Sequence, residues 1–165
     1  MEIRVLGKED AKQYRELRLE GLKGVPEAFS SSFDEESKMD VAAFASRFGA
    51  AHVFTFGAFI EQKLAGTVTL ICETKIKIKH RSHIVAMYVS DEFRKQGVGK
   101  MLMETAIHRA SEQEGVEQVL LTVNASNEPA KKLYQSLGFT TFGVDVRALK
   151  VGNTYYDEEM MVLAL

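Results

Sequence analysis

The sequence predicts an α/β protein of the α+β kind, a mixed and mostly antiparallel sheet flanked by about four helices. Three stretches carry this expectation. HIVAMYVS, DEFRKQGVGK and MLMETAIHRASEQE (83–114) read as an apolar strand, a turn with two glycines and an amphipathic helix. VEQVLLTV (116–123) repeats the order, an apolar strand running directly into NASNEPAKKLYQSLGF (124–139), whose Pro129 suits a first helical turn and Asn127 its N-cap. HVFTFGAFI and KLAGTVTLI, joined by Glu61-Gln62, read as a meander of adjacent strands rather than a parallel crossover.

In chain order, residues 2–7 suit a short strand and Asp10 to Leu22 a helix, with Tyr14, Leu17, Leu19 and Leu22 partly on one face and Gly24-Val25-Pro26 as its breaker. Phe29 and Phe33 flank a run of serines. Asp34, Glu35 and Glu36 then suit the first turn of a second helix, which Val41, Phe44, Ala45 and Phe48 continue. After the meander, TKIKIKHRS (74–82) alternates Lys and Ile, a charged edge strand or hairpin tip. In the strand at 83–90, Val85, Met87 and Val89 alternate with Ile84, Ala86 and Tyr88, so both faces are apolar, as in a central strand. Gly115 closes the following helix and Gly138 the one after it. TTFGVDVRALKV and TYYDEEMMVLAL make a final strand pair.

One domain over 1–165 is expected, since this length supports a single sizeable core and no repeat or linker interrupts it. A net charge of −2 gives no general electrostatic case for nucleic acid or an anionic membrane. Cys72, the single cysteine, excludes an internal disulfide and a multi-cysteine metal site, and its apolar surroundings suit a small core residue. His52, His80 and His108 have no site context, and no metal is expected. Without a leader-like start or a long apolar run, a cytoplasmic enzyme or binding protein is the expectation.

The chemistry concentrates at Arg94-Lys95-Gln96-Gly97-Val98-Gly99-Lys100. The first N–H groups of a helix lack intrahelical partners and carry the positive end of its dipole. Glycines there let the backbone approach a ligand closely, and Arg94, Lys95 and Lys100 add charge, so the junction reads as a pyrophosphate cradle. A Walker loop requires four residues between its glycines, and a dinucleotide fingerprint a third glycine where Leu102 stands; both fail. The pattern Arg/Gln-x-x-Gly-x-Gly/Ala after an apolar strand fits. It resembles the acetyl-coenzyme A loop of the GNAT superfamily of N-acetyltransferases. Asn127, Ala130, Leu133, Tyr134, Gly138 and Phe139 also match that family's N-x-x-A-x-x-L-Y-x-x-x-G-F pattern, and the resemblance extends over essentially the whole chain.

The resemblance implies a sheet splayed between its fourth and fifth strands, with acetyl-coenzyme A as co-substrate in the gap. Its pantetheine arm would pair with the backbone around Met87, Tyr88 and Val89, its pyrophosphate would rest on Gln96 to Lys100, and Asn127 would hydrogen-bond the pantetheine. Tyr134 matches the family's usual general acid; the alternative is a ring packed beneath the cofactor. His83 falls where the histone-acetylating branch places a glutamate and the arylalkylamine-acetylating branch a histidine, so it is the candidate base, with a water chain as alternative and Glu73, Asp157, Glu158 and Glu159 behind it. Main-chain N–H groups near Met87 are the expected oxyanion donors. Pocket residues are expected from Ala28–Glu36 and Val151–Tyr156. The acceptor expected is a small-molecule primary amine, the alternatives being a protein amine or a non-catalytic acyl-coenzyme A module; a homodimer is compatible with this reading.

Overall fold

Seven strands form one sheet in the order β1-β2-β3-β4-β5-β7-β6 in a computed structural model that describes all of residues 1–165. The strands are β1 (Glu2–Val5), β2 (Val53–Ile60), β3 (Lys63–Cys72), β4 (Arg81–Val89), β5 (Gln118–Asn124), β6 (Thr140–Val151) and β7 (Thr154–Ala164). Every neighbouring pair is antiparallel except β4 and β5, which run parallel because α4 (Val98–Ser111) crosses between them. The mixed sheet is the one expected from the alternation of meander and crossover units.

Two cores lie on opposite faces. The larger holds Val68, Leu70, Ile84, Val119 and Leu121 of the sheet against Val98, Leu102, Met103 and Ala106 of α4, with Tyr134 of α5 (Glu128–Ser136). The smaller gathers Leu6, Phe59, Leu64 and Tyr88 under Ala11, Tyr14 and Leu17 of α1 (Ala11–Gly24). Gly21 permits this second contact, since a Cβ there would lie 3.1 Å from the Tyr88 ring. Cys72 is buried in the larger core, and burial raises its thiol above the ordinary range, as an inert packing residue requires.

Two expectations are corrected. The single helix expected from Asp34 to Phe48 is two, α2 (Phe33–Glu36) and α3 (Val41–Ala45), which makes five helices. Asp40 accounts for the break, because its carboxylate accepts the Ala43 N–H at 2.8 Å and caps a new helix. The Lys/Ile run is the hairpin tip joining antiparallel β3 and β4, the second of the two forms expected for it, with Ile76 almost fully exposed. The period-two pattern of β4 slips at Ala86, which has φ +53° and forms a bulge: Thr69 pairs with Val85, Thr67 with Tyr88, and neither Ala86 nor Met87 has a partner in β3. Tyr88 therefore shares a face with Val85, and Met87 joins Ile84 against the α4 core.

Buried charge fastens the helices of the smaller core. Glu36 is 4% exposed and accepts both Arg18 nitrogens at 3.1 and 3.0 Å and one from Arg47 at 3.3 Å. Burial alone would raise its carboxyl, but the two guanidiniums bring it below the ordinary value. Asp10 is likewise lowered by the paired hydrogen bonds from Arg4, both 2.7 Å. Each carboxyl binds a proton less tightly folded than unfolded, so its contribution is complete above the ordinary carboxylate pKa of ~4 and is lost as pH falls through the lowered folded value. Urea unfolding from pH 6 to pH 3 should show Glu36→Gln losing stability less steeply than wild type. Arg18→Ala should cost on the order of 3 kcal/mol at pH 7, because it leaves a buried carboxylate half-paired.

Candidate active site

The site begins where β4 and β5 part. Their pairing is confined to Arg81 with Gln118, Ser82 with Val119 and His83 with Leu120. Beyond His83 the strands diverge around a cleft of about 80 Å³, lined by Ile84 to Met87 from β4, Leu121 to Asn124 from β5, Asn127, Ala130 and Tyr134 from α5's end of the chain, and Ala28 and Phe29. This edge of β4 lies inside the sheet yet carries no neighbouring strand, so its main-chain polar groups are open to an extended ligand. The splay stands between the fourth and fifth strands, as expected.

At the far end of β4 the chain turns through Asp91–Phe93 into α4. Lys95 has φ +62° and Gly97 φ +80°, both left-handed, which points successive N–H groups to one side. The first bond of the helix runs from the Met101 N–H to the Gly97 carbonyl, and none of the N–H groups from Lys95 to Lys100 donates within the protein. A Cβ on Gly97 would meet nothing within 4 Å, so the cradle is open at that point, whereas one on Gly99 would lie 3.1 Å from the Met87 methyl. The donors, the open glycine and the exposed Lys95 and Lys100 fit a pyrophosphate.

The other expected residues divide. Val98 is buried in the core, so its N–H alone faces the loop. The Tyr88 side chain points to the opposite face of the sheet, donating to Glu20 at 3.1 Å, and burial with the neighbouring Glu20 pushes its phenol to about 12. Arg94 is engaged locally, donating to the Val89 carbonyl at 3.2 Å and pairing with Asp91 at 2.6 Å, so Val89 has one main-chain acceptor already in use. Gln96 donates to the Glu92 carbonyl, and Lys100 lies 3.8 Å from Glu104. Asn127 caps α5, its side-chain oxygen accepting from Ala130 at 3.2 Å, while its amide nitrogen has no partner within the protein and the residue borders the cleft.

Tyr134 lies on the α5 wall, 7% exposed, and its hydroxyl has no hydrogen-bond partner in the protein. Burial raises the phenol to about 12. The group is thus a neutral donor at any physiological pH, and a weaker acid than its ordinary value of ~10 suggests. His83 stands at the fork, with Nε2 3.2 Å from Glu73. Among the acids named as lesser candidates, Glu159 is held by Lys131 and Thr141, Asp157 accepts the Arg147 N–H, and Glu158 is raised by burial and by Asp145 opposite it.

Sequence reasoning did not single out Asn124. It is 5% exposed, borders the cleft, and donates to the Glu27 carbonyl at 3.2 Å, tying the turn at Pro26–Ala28 to β5. An asparagine closing an apolar strand just before a helix cap was the available signal. A larger hollow of about 540 Å³ on the β1–β2 edge is open, lined by Glu2, Arg4, Gln13 and Glu61 among others, and lies away from the fork.

The sequence model of the Acetyltransferase (GNAT) family matches residues 19–139. The chain belongs to the GNAT acetyltransferase family. Family members use acetyl-coenzyme A. It is similar to an N-alpha-acetyltransferase of Sulfurisphaera tokodaii, 33% identical over 76 residues that cover 46% of this chain and 41% of the relative. The chain thus matches less than half of that relative's length. Its fold is that of a ribosomal-protein-alanine N-acetyltransferase from Brucella melitensis, at TM-score 0.86 and 18% identity over 100% of both chains. It is also that of a Salmonella typhimurium protein solved with its cofactor acetyl-CoA, at TM-score 0.80 and 18% identity over 99% of this chain and 93% of the other. No helix of this GNAT chain is long and apolar enough to cross a membrane.

Gly97→Glu should reduce acetyl-coenzyme A affinity at least a hundredfold by calorimetry, since it sets negative charge at the open point of the cradle. In an alkaline absorbance titration of phenolate, two tyrosines should ionise near 12, and Tyr134→Phe should remove one of them.

Proposed function

We propose that this GNAT chain transfers the acetyl group of acetyl-coenzyme A to a primary amine by direct attack, with both substrates bound together. The observation that carries this reading is the cleft itself, an apolar slot with an unpaired strand edge on one wall and the unpartnered Tyr134 hydroxyl on the other. The coenzyme supplies an acyl group activated as a thioester. Met87 and Val89 would receive its pantetheine arm through their main-chain groups, the N–H groups from Gln96 to Lys100 its pyrophosphate, and the free amide nitrogen of Asn127 would hold the arm from α5.

During the reaction the amine nitrogen forms a bond to the acetyl carbon and the carbon–sulfur bond breaks. The ammonium proton must leave before attack, and the departing thiolate must gain one. His83 takes the first proton directly or through water. Tyr134 gives the second, and the remaining proton that the nitrogen sheds as the amide forms restores the phenol through solvent. Burial, which raises the Tyr134 phenol to about 12, acts in the same direction on a thiolate in the same slot. The bulged main chain at Ala86 and Met87, out of register with β3, supplies N–H donors toward developing oxyanion charge.

On the acceptor side, the Asn124–Glu27 tie and the packing of Phe29 on Tyr88, with ring centroids 6.2 Å apart, hold the Pro26–Phe29 segment over the cleft mouth. A covered mouth favours a small-molecule amine. The names of the Sulfurisphaera and Brucella proteins favour a protein N-terminal amine as the second reading. A thiol-release screen against small amines and N-terminal peptides decides between them: turnover of a small amine supports the first, turnover of peptides alone the second, and tight coenzyme binding with no turnover on any acceptor refutes both. With the best acceptor, Tyr134→Phe should lower kcat about a hundredfold and leave coenzyme affinity within twofold.

A further inference from the structure

The pairing of Glu73 with His83 assigns a role to a residue outside the cleft. His83 is the last β4 residue to pair with β5, and shares the face of β4 that carries Val85, a cleft-lining residue. Its Nε2 lies 3.2 Å from Glu73 Oε1, with the two side chains 36% and 30% exposed. Glu73 is fixed where β3 ends, because its main-chain N–H donates to the Arg81 carbonyl at 3.1 Å. The same Arg81 makes no ion pair, and its Nε is buried without a partner. The carboxylate sits on the imidazole even though a guanidinium belongs to the very residue that anchors its backbone.

We infer that Glu73 is a positioning residue, its carboxylate fixing the tautomer and orientation of the His83 imidazole so that Nδ1 is the basic nitrogen offered to the acceptor. This rests on the reading of His83 as the base. With Oε1 3.2 Å from Nε2, the negative carboxylate favours the neutral ring's proton on Nε2 and leaves the Nδ1 lone pair free. When His83 takes the ammonium proton at Nδ1, the adjacent carboxylate offsets the new positive charge. The proton moves from the amine to Nδ1, and Nε2–H stays on Glu73.

The experiment pairs nitrogen NMR of 15N-histidine-labelled protein with kinetics. The His83 signals should report Nε2–H and a bare Nδ1 in wild type. Glu73→Ala should lose that signature, and Glu73→Gln should keep it, since an amide oxygen accepts the same hydrogen bond. With the best acceptor from the thiol-release screen, Glu73→Ala should lower kcat about tenfold with the coenzyme KM within twofold, and should cost nothing further on a His83→Gln background. An unchanged signature in Glu73→Ala, or equal losses on both backgrounds, overturns the proposal. A full-rate His83→Gln enzyme overturns it too, while leaving acetyl transfer intact. Failure of wild type to acetylate any amine strikes the proposed function instead, and the nitrogen signature then decides by itself whether Glu73 sets the imidazole.

Discussion

A sheet that stops pairing in its own middle is the constraint on which this structure depends. Buried main-chain N–H and C=O groups must find partners, and the β4–β5 ladder ends at His83 and Leu120 while both strands continue. The strands beyond are held apart by what packs on each of them. α4 and α5 fill the face behind the cleft with Leu102, Met103, Leu133 and Tyr134, and the Pro26–Phe29 segment crosses in front. The open edge is therefore built in from both sides, and an extended ligand with amide groups is the natural complement to it.

The bulge at Ala86 turns this gap into a site. By shifting the phase of β4, it sends Tyr88 into the α1 core and Met87 against α4, so one strand is anchored on both faces just where it loses its neighbour. Tyr88 in turn is locked by Glu20, Gly21 and Phe29, which couples the rigidity of β4 to the helices that cover the acceptor side. The buried cluster of Glu36 with Arg18 and Arg47 fixes those helices to one another. Charge far from the cleft thus maintains its front wall.

Electrostatics differ sharply along the slot. The loop end offers unpaired N–H donors and exposed lysines in water, where an anion would stay partly solvated. The Tyr134 end is buried, and that burial raises its phenol to about 12. A thioester lying between the two would have its charged part at the wet end and its reacting part at the buried end, where dipoles act most strongly.

Local periodicity, backbone freedom at Gly97 and typed residues at fixed spacings are enough to read the strand–helix units, the glycine junction, the asparagine cap and the position of Tyr134 from the chain. It also carried the order of the elements and, through family resemblance, the place of the splay. Tertiary structure alone decided the rest. Period-two alternation cannot register a bulge, so the reversal of Tyr88 was invisible until Thr67 and Thr69 paired with residues three apart. A helical pattern does not reveal that Asp40 will restart the helix. Arg94, read as phosphate-facing charge, is drawn back to Asp91 and the Val89 carbonyl, and Glu73 meets His83 only because β3 and β4 run antiparallel. Contacts between residues distant in sequence depend on register, and register is settled by packing.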